Sequence, residues 1–136
     1  MKIVVDSNTF IAALLKDSLS RKILFSKKID FYSILAIRMD VRKYEHLLME
    51  KSGLNSSDFD AVFNLLVSKV NFVEEDILVK FIKQAKTIMD KIDPGDSPFI
   101  AAVFAINADG VWSEDKHFES QNAVKVFKTK DLIKFI

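Results

Sequence analysis

Apolar positions along this chain switch repeatedly between two periods. Short runs rich in β-branched and aromatic residues, "KIVV" at 2–5, "IDFYSI" at 29–34, "VNFV" at 70–73, "GVWS" at 110–113 and "VKVF" at 124–127, predict five strands. Between them the spacing turns helical. Phe10, Ala13 and Leu14 share one face behind Ser7 or Asn8 as a cap, and "SRKILFSKK" predicts a second helix. Val41, Tyr44, Leu47 and Leu48 predict one helix from about Arg38 to Ser52, stopped by Gly53. Phe59, Val62, Phe63 and Leu66 follow a serine cap, and "EEDILVKFIKQAKTIMDKI" reads as a long amphipathic helix with acids in its first turn. A late apolar helix over "PFIAAVFAI" is expected to end at Gly110, and "TKDLIKFI" to start at a Thr129 cap. Strands alternating with helices predict an α/β fold, a mostly parallel sheet of about five strands covered by helices on both faces.

The length, 136 residues, suits one domain over 1–136, and no Pro/Gly/Ser-rich linker or repeat divides it. The absence of Cys excludes a disulfide framework and zinc sites built on thiolates, and is compatible with a reducing cytoplasm. No signal-peptide pattern and no span-length apolar run is present, so the expectation is a cytoplasmic protein that does not engage a membrane. A net charge of +1 creates no whole-molecule field for nucleic acid, and the lysines of the tail read as a solvated helix face. With three Gly in the chain there is no glycine-rich phosphate loop.

The candidate chemistry lies in the acids. Ligands gather outside the carboxyl ends of strands in an open parallel sheet. Asp6 directly follows the first strand, Asp115 follows "GVWSE", and Asp96 heads the helix leading into that strand. Three clustered carboxylates repel one another unless a hard divalent cation with oxygen ligands sits among them. Asp is also an ordinary turn and cap residue, so each acid alone proves little. Proline favours the first helical position, so Pro98 nominates Ser97 as the cap and frees Asp96; one place further in, it would leave Asp96 as the cap. Asn8 and Ser113 sit near the two strand ends, where they can hold ligand carboxylates or a metal-bound water. His46 and His117 show no partner at a metal-ligand or catalytic spacing and read as surface histidines.

"KIVVDSNTFIAALL", "DPGDSPFIAAVFAINADGVWSEDKHF" and the intervening acidic helix resemble the PIN domain, particularly its prokaryotic stand-alone members, over nearly the whole chain. The resemblance implies a three-layer α/β/α fold, an acidic pocket for Mg²⁺ or Mn²⁺, and metal-dependent cleavage of RNA phosphodiesters. Carried over position by position, the family's acids fall on Asp6, Asp96 and Asp115 as metal ligands, with Ser113 two residues before the last. The family's second acid is normally a glutamate. Here "DVRKY" puts Asp40 in its place as a fourth catalytic acid, one methylene shorter, with Glu45 as the substitute further along the helix. The resemblance also implies a homodimer and a toxin neutralised by an antitoxin protein. Two rivals stand beside this reading. One is a catalytically weakened PIN-like module that binds RNA or protein, suggested by Asp40. The other is a phospho-acceptor signalling domain, which calls for an acid pair after the first strand where "VVDSN" offers a single acid.

Overall fold

The computed structural model describes residues 1–16 and 18–136. The chain runs β1 (Lys2–Val5), α1 (Ser7–Leu15), α2 (Leu19–Leu24), β2 (Asp30–Ile34), α3 (Ala36–Lys43), α4 (Glu45–Ser52), α5 (Ser56–Val67), β3 (Val70–Val73) and α6 (Glu75–Met89). After a 3₁₀ turn at Pro94–Asp96 it continues α7 (Ser97–Ile106), β4 (Gly110–Trp112), α8 (Lys116–Glu119), β5 (Val126–Phe127) and α9 (Thr129–Leu132). The five strands form one all-parallel sheet in the order β3-β2-β1-β4-β5. The three-layer α/β/α architecture matches the expectation from sequence.

Strand position explains strand composition. β1 is central, flanked by β2 and β4 with Ile3 opposite both Phe31 and Gly110, so Ile3, Val4 and Val5 are fully buried and all three are apolar. α7 packs across β1, β2 and β4 and is itself covered by α6. A helix enclosed on both sides has no solvated face to spend on polar residues, hence "SPFIAAVFAI". α1 gathers α2, α3, α4 and α5 around it. The rings of Phe31 and Trp112 lie 5.6 Å apart, and Phe10 meets Phe63 edge-on at 6.3 Å.

Several expected boundaries move. The helix foreseen from Arg38 to Ser52 bends at Tyr44 into α3 and α4, because Tyr44 adopts φ −106, ψ 19 while its N–H and C=O still bond to Asp40 and Leu48. The late helix ends at Asn107 in the left-handed region, φ 53, and not at Gly110. Gly110 instead opens β4, where a side chain would collide with the Lys125 carbonyl oxygen. The α5 cap is Asn55, whose side chain accepts the Asp58 N–H at 2.8 Å. Thr129 is the first residue of α9, and its hydroxyl accepts the Trp112 indole N–H at 3.1 Å.

The chain fills the sheet outward from β1 toward β3, then crosses back through α6 and α7 to add β4 and β5 on the other side. The strand order therefore reverses between β1 and β4. Connections on either side of that point leave the sheet in opposite directions and open a crevice at the carboxyl ends of these two strands. Asp6 ends one of them and Ser113 the other.

Candidate metal centre

Asp6 is the buried floor of this crevice, with 3 % of its surface exposed. It caps α1, a place expected for Ser7 or Asn8: its Oδ1 accepts the Thr9 N–H at 2.8 Å. Its Oδ2 accepts the Ser113 hydroxyl at 2.5 Å. Each oxygen keeps a lone pair, so capping and metal binding are not exclusive. Burial raises the Asp6 pKa, opposed by the hydrogen bonds from Ser113 and Thr9 and reinforced by the Asp115 charge.

Ser113 joins the two strand ends. Its Oγ donates to Asp6 and accepts the Asp115 N–H at 2.9 Å, which fixes the turn after β4 to the end of β1. Asp115 then caps α8, its Oδ1 accepting the His117 N–H at 2.9 Å. Thr9 reinforces the same junction by donating its hydroxyl to the Trp112 carbonyl at 3.3 Å.

The puzzle of Asp96 resolves in an intermediate way. Pro98 lies second in α7, which leaves Asp96 at the cap position, yet its side chain makes no capping hydrogen bond. Its Oδ2 is buried and has no hydrogen-bond partner among the described residues. Burial, then the charges of Asp93, Asp115 and Asp6, push its pKa up to about 6, with His117 pulling the other way. This carboxylate is held where it is poorly solvated and repelled by three others.

Asp6, Asp40, Asp93, Asp96 and Asp115 all line one cleft of about 290 Å³, together with Asn8, Pro98 and Phe99. Asp40 reaches it from α3. Glu45 does not line it; its carboxylate is ion-paired to Arg42 at 2.6 Å, whose guanidinium also holds Asp60 at 2.8 Å and lies over the Phe63 ring. Asn8 is exposed at the rim. A larger cleft of about 650 Å³ lies at the amino ends of the strands, but its charged residues, Lys125, Lys130 and Lys134 with Asp109 and Asp131, are mixed in sign and offer no converging ligand set.

One residue of the cleft, Asp93, and one exposed residue beside it, His117, escaped the sequence reading. His117 is not a bystander: its Nδ1 lies 3.1 Å from Asp93 Oδ2, 3.4 Å from Asp115 Oδ1 and 3.9 Å from Asp96 Oδ2. Asp93, whose side chain accepts the Gly95 N–H at 3.0 Å, lies in the turn before α7 and is not among the acids singled out from sequence. The available signals were the short spacings Asp93-x-x-Asp96 and Asp115-x-His117, which become meaningful only once the crossover through α7 brings the two pairs together.

A parallel sheet with a strand-order reversal and a cluster of carboxylates at that point defines a class of α/β proteins whose chemistry gathers at the carboxyl ends of the strands. The match is more particular: residues 4–133 fit the model of the PIN domain, and the chain belongs to that family. PIN domains are generally nucleases that use a divalent metal. No curated protein and no solved structure matches the chain. Among the described residues no helix is long and apolar enough to cross a membrane.

Proposed function

We propose that this chain is a Mg²⁺- or Mn²⁺-dependent endoribonuclease acting in the cytoplasm, with Asp6, Asp96 and Asp115 as metal ligands and Asp40 as the fourth acid. The observation that carries the proposal is Asp96 Oδ2, a buried carboxylate oxygen without a hydrogen-bond partner, set among acids whose charges repel it. Native proteins rarely leave such an atom unsatisfied. An all-oxygen donor set of this kind fits a hard divalent cation. A cation held there would lower the pKa of a bound water and neutralise charge developing on the scissile phosphate.

The chain's own residues do the positioning. Ser113 and the Thr9 N–H each hold one oxygen of Asp6, so its carboxylate plane is fixed against the sheet. Asp40, which lines the cleft from α3, would complete the site or accept a proton from the attacking water. The near-neutral surface then suits a polyanion at the cleft, where the acids that would repel phosphate become its anchor once metallated. Cleavage of single-stranded RNA in Mn²⁺ by the wild type, Asp6→Asn and Asp96→Asn tests this: both variants should fold and neither should cleave. Full activity in either one removes the assignment.

Asp40 supports a second reading, a weakened module that binds RNA or protein without cutting. Its carboxylate lines the cleft but is one methylene shorter than the glutamate the family resemblance calls for, and like Asp6 and Asp115 it lies outside the closest ligand cluster of Asp93, Asp96 and His117. Under that reading Mn²⁺ leaves the melting temperature unchanged, whereas a working site gains stability by mass action. A toxin role beside an antitoxin, and a homodimer, belong to the same proposal. The exposed Met39, Tyr44 and Leu47 on α3 and α4 support self-association, and sedimentation of the free chain checks it.

A further inference from the structure

The imidazole beside the acidic cleft offers a nitrogen donor to the carboxylates around it. Its Nδ1 faces carboxylate oxygens of Asp93, Asp115 and Asp96 at 3.1, 3.4 and 3.9 Å, and one ligand atom each from Asp93, Asp96 and His117 fall within 4.8 Å of one another. The imidazole stands nearest Asp93, and Asp96 Oδ2 is left without a hydrogen-bond partner among the described residues. Ligand atoms about 2.0–2.2 Å from a shared ion lie about 3–3.5 Å from each other, a spacing the imidazole already has to Asp93 and Asp115, while Asp96 Oδ2 would close in from 3.9 Å.

The local hydrogen bonds prepare this arrangement. Asp93 uses Oδ1 for the Gly95 N–H and turns Oδ2 toward the imidazole. Asp115 Oδ1 takes the His117 backbone N–H, which fixes the root of that side chain at the start of α8. Neither Asp93 nor His117 falls on a position of the PIN motif carried over above.

Resting on the metal-dependent nuclease reading, we infer that His117 and Asp93 are direct ligands of the cation beside Asp96 and Asp115, and that the imidazole biases the site toward Mn²⁺ and later first-row ions over Mg²⁺. A nitrogen donor contributes little to a hard, strongly hydrated ion and progressively more along the first transition row. The selectivity of the cleft is thus set by a residue in the helix after β4, and not by the aspartates alone.

The test is pulsed EPR of bound Mn²⁺, with binding titrations of Mn²⁺, Co²⁺ and Mg²⁺ to wild type and His117→Gln. The chain has two histidines, and only His117 has a ring nitrogen within 4 Å of the carboxylates of Asp93, Asp96 and Asp115 among the described residues, while His46 is exposed on α4, so a nitrogen coupling at the site reports His117. The expected result is a directly bound nitrogen in the wild type that disappears in His117→Gln. Mn²⁺ and Co²⁺ affinity should fall by about tenfold or more, and Mg²⁺ affinity by less than about threefold. Asp93→Asn should weaken Mn²⁺ binding while retaining the nitrogen signal. Bound Mn²⁺ without nitrogen coupling, or equal losses for Mg²⁺ and Mn²⁺, overturns the inference and leaves the nuclease reading intact. Failure of the wild type to bind any of the three ions overturns both.

Discussion

Replacing a proposed metal ligand should stabilise this protein when no metal is present. Asp96→Asn removes a charge that folding penalises. The carboxyl pKa rises from 3.8 to about 6 on folding, through burial first and then the charges of Asp93, Asp115 and Asp6. The folded state therefore holds the proton more tightly than the unfolded chain. That preference favours folding fully below pH 3.8, and it is lost as pH rises through about 6, leaving an ionised, poorly solvated Asp96 at neutral pH. Taken in full, the difference corresponds to about 3 kcal/mol. Asp96 is partly exposed, and solvent screening reduces this to about 1–2 kcal/mol. For a domain of this size that is about 3–8 °C in Tm.

Scanning calorimetry in chelator measures the effect directly. At pH 7.5 Asp96→Asn should melt above the wild type, and at pH 4 the gap should shrink severalfold, because both proteins are then neutral at this position. Saturating Mn²⁺ should reverse the order, since only the wild type gains binding energy in the folded state. A variant that melts at or below wild type at pH 7.5 refutes the electrostatic reasoning, as does a gap unchanged at pH 4. The trade of stability for a site that needs its acids is a familiar cost of function.

Two further outcomes follow from the same geometry. Ser113→Ala removes the hydroxyl that serves both Asp6 and the Asp115 N–H, and should lower metal-free stability by about 1–3 kcal/mol and weaken Mn²⁺ about tenfold, read by denaturant melts and titration; unchanged Mn²⁺ affinity contradicts its positioning role. Gly110→Ala drives a methyl group into the Lys125 carbonyl and to 2.8 Å from the Phe127 ring, and should destabilise by about 2–3 kcal/mol through loosened β4–β5 pairing; a neutral melt contradicts the close approach.

Much of this architecture was readable because parallel sheets write themselves into sequence. Buried β-branched runs and a wholly apolar helix have few other uses, and β1, β4 and α7 announced themselves that way. That Asp6, Asp96 and Asp115 share one cleft was legible for a related reason: Asp6 and Asp115 follow strands at their carboxyl ends, and Asp96 heads the helix that leads into β4. Asp40 and Glu45 could not be separated by spacing. The choice depends on the bend at Tyr44 and on Arg42, which ties Glu45 and Asp60 away from the cleft. Caps were misassigned at Asp6 and Asn55 because several adjacent residues had the same capping chemistry.

His117 was lost to a different difficulty. Its partners Asp93 and Asp96 lie more than twenty residues upstream, across α7 and β4, so no sequence spacing connects them. What decides the contact is that α7 is long enough to return the chain across the sheet at the reversal point, bringing the turn before α7 level with the start of α8. Local pattern names the acids at strand ends; the crossover decides which neutral or basic side chain stands among them.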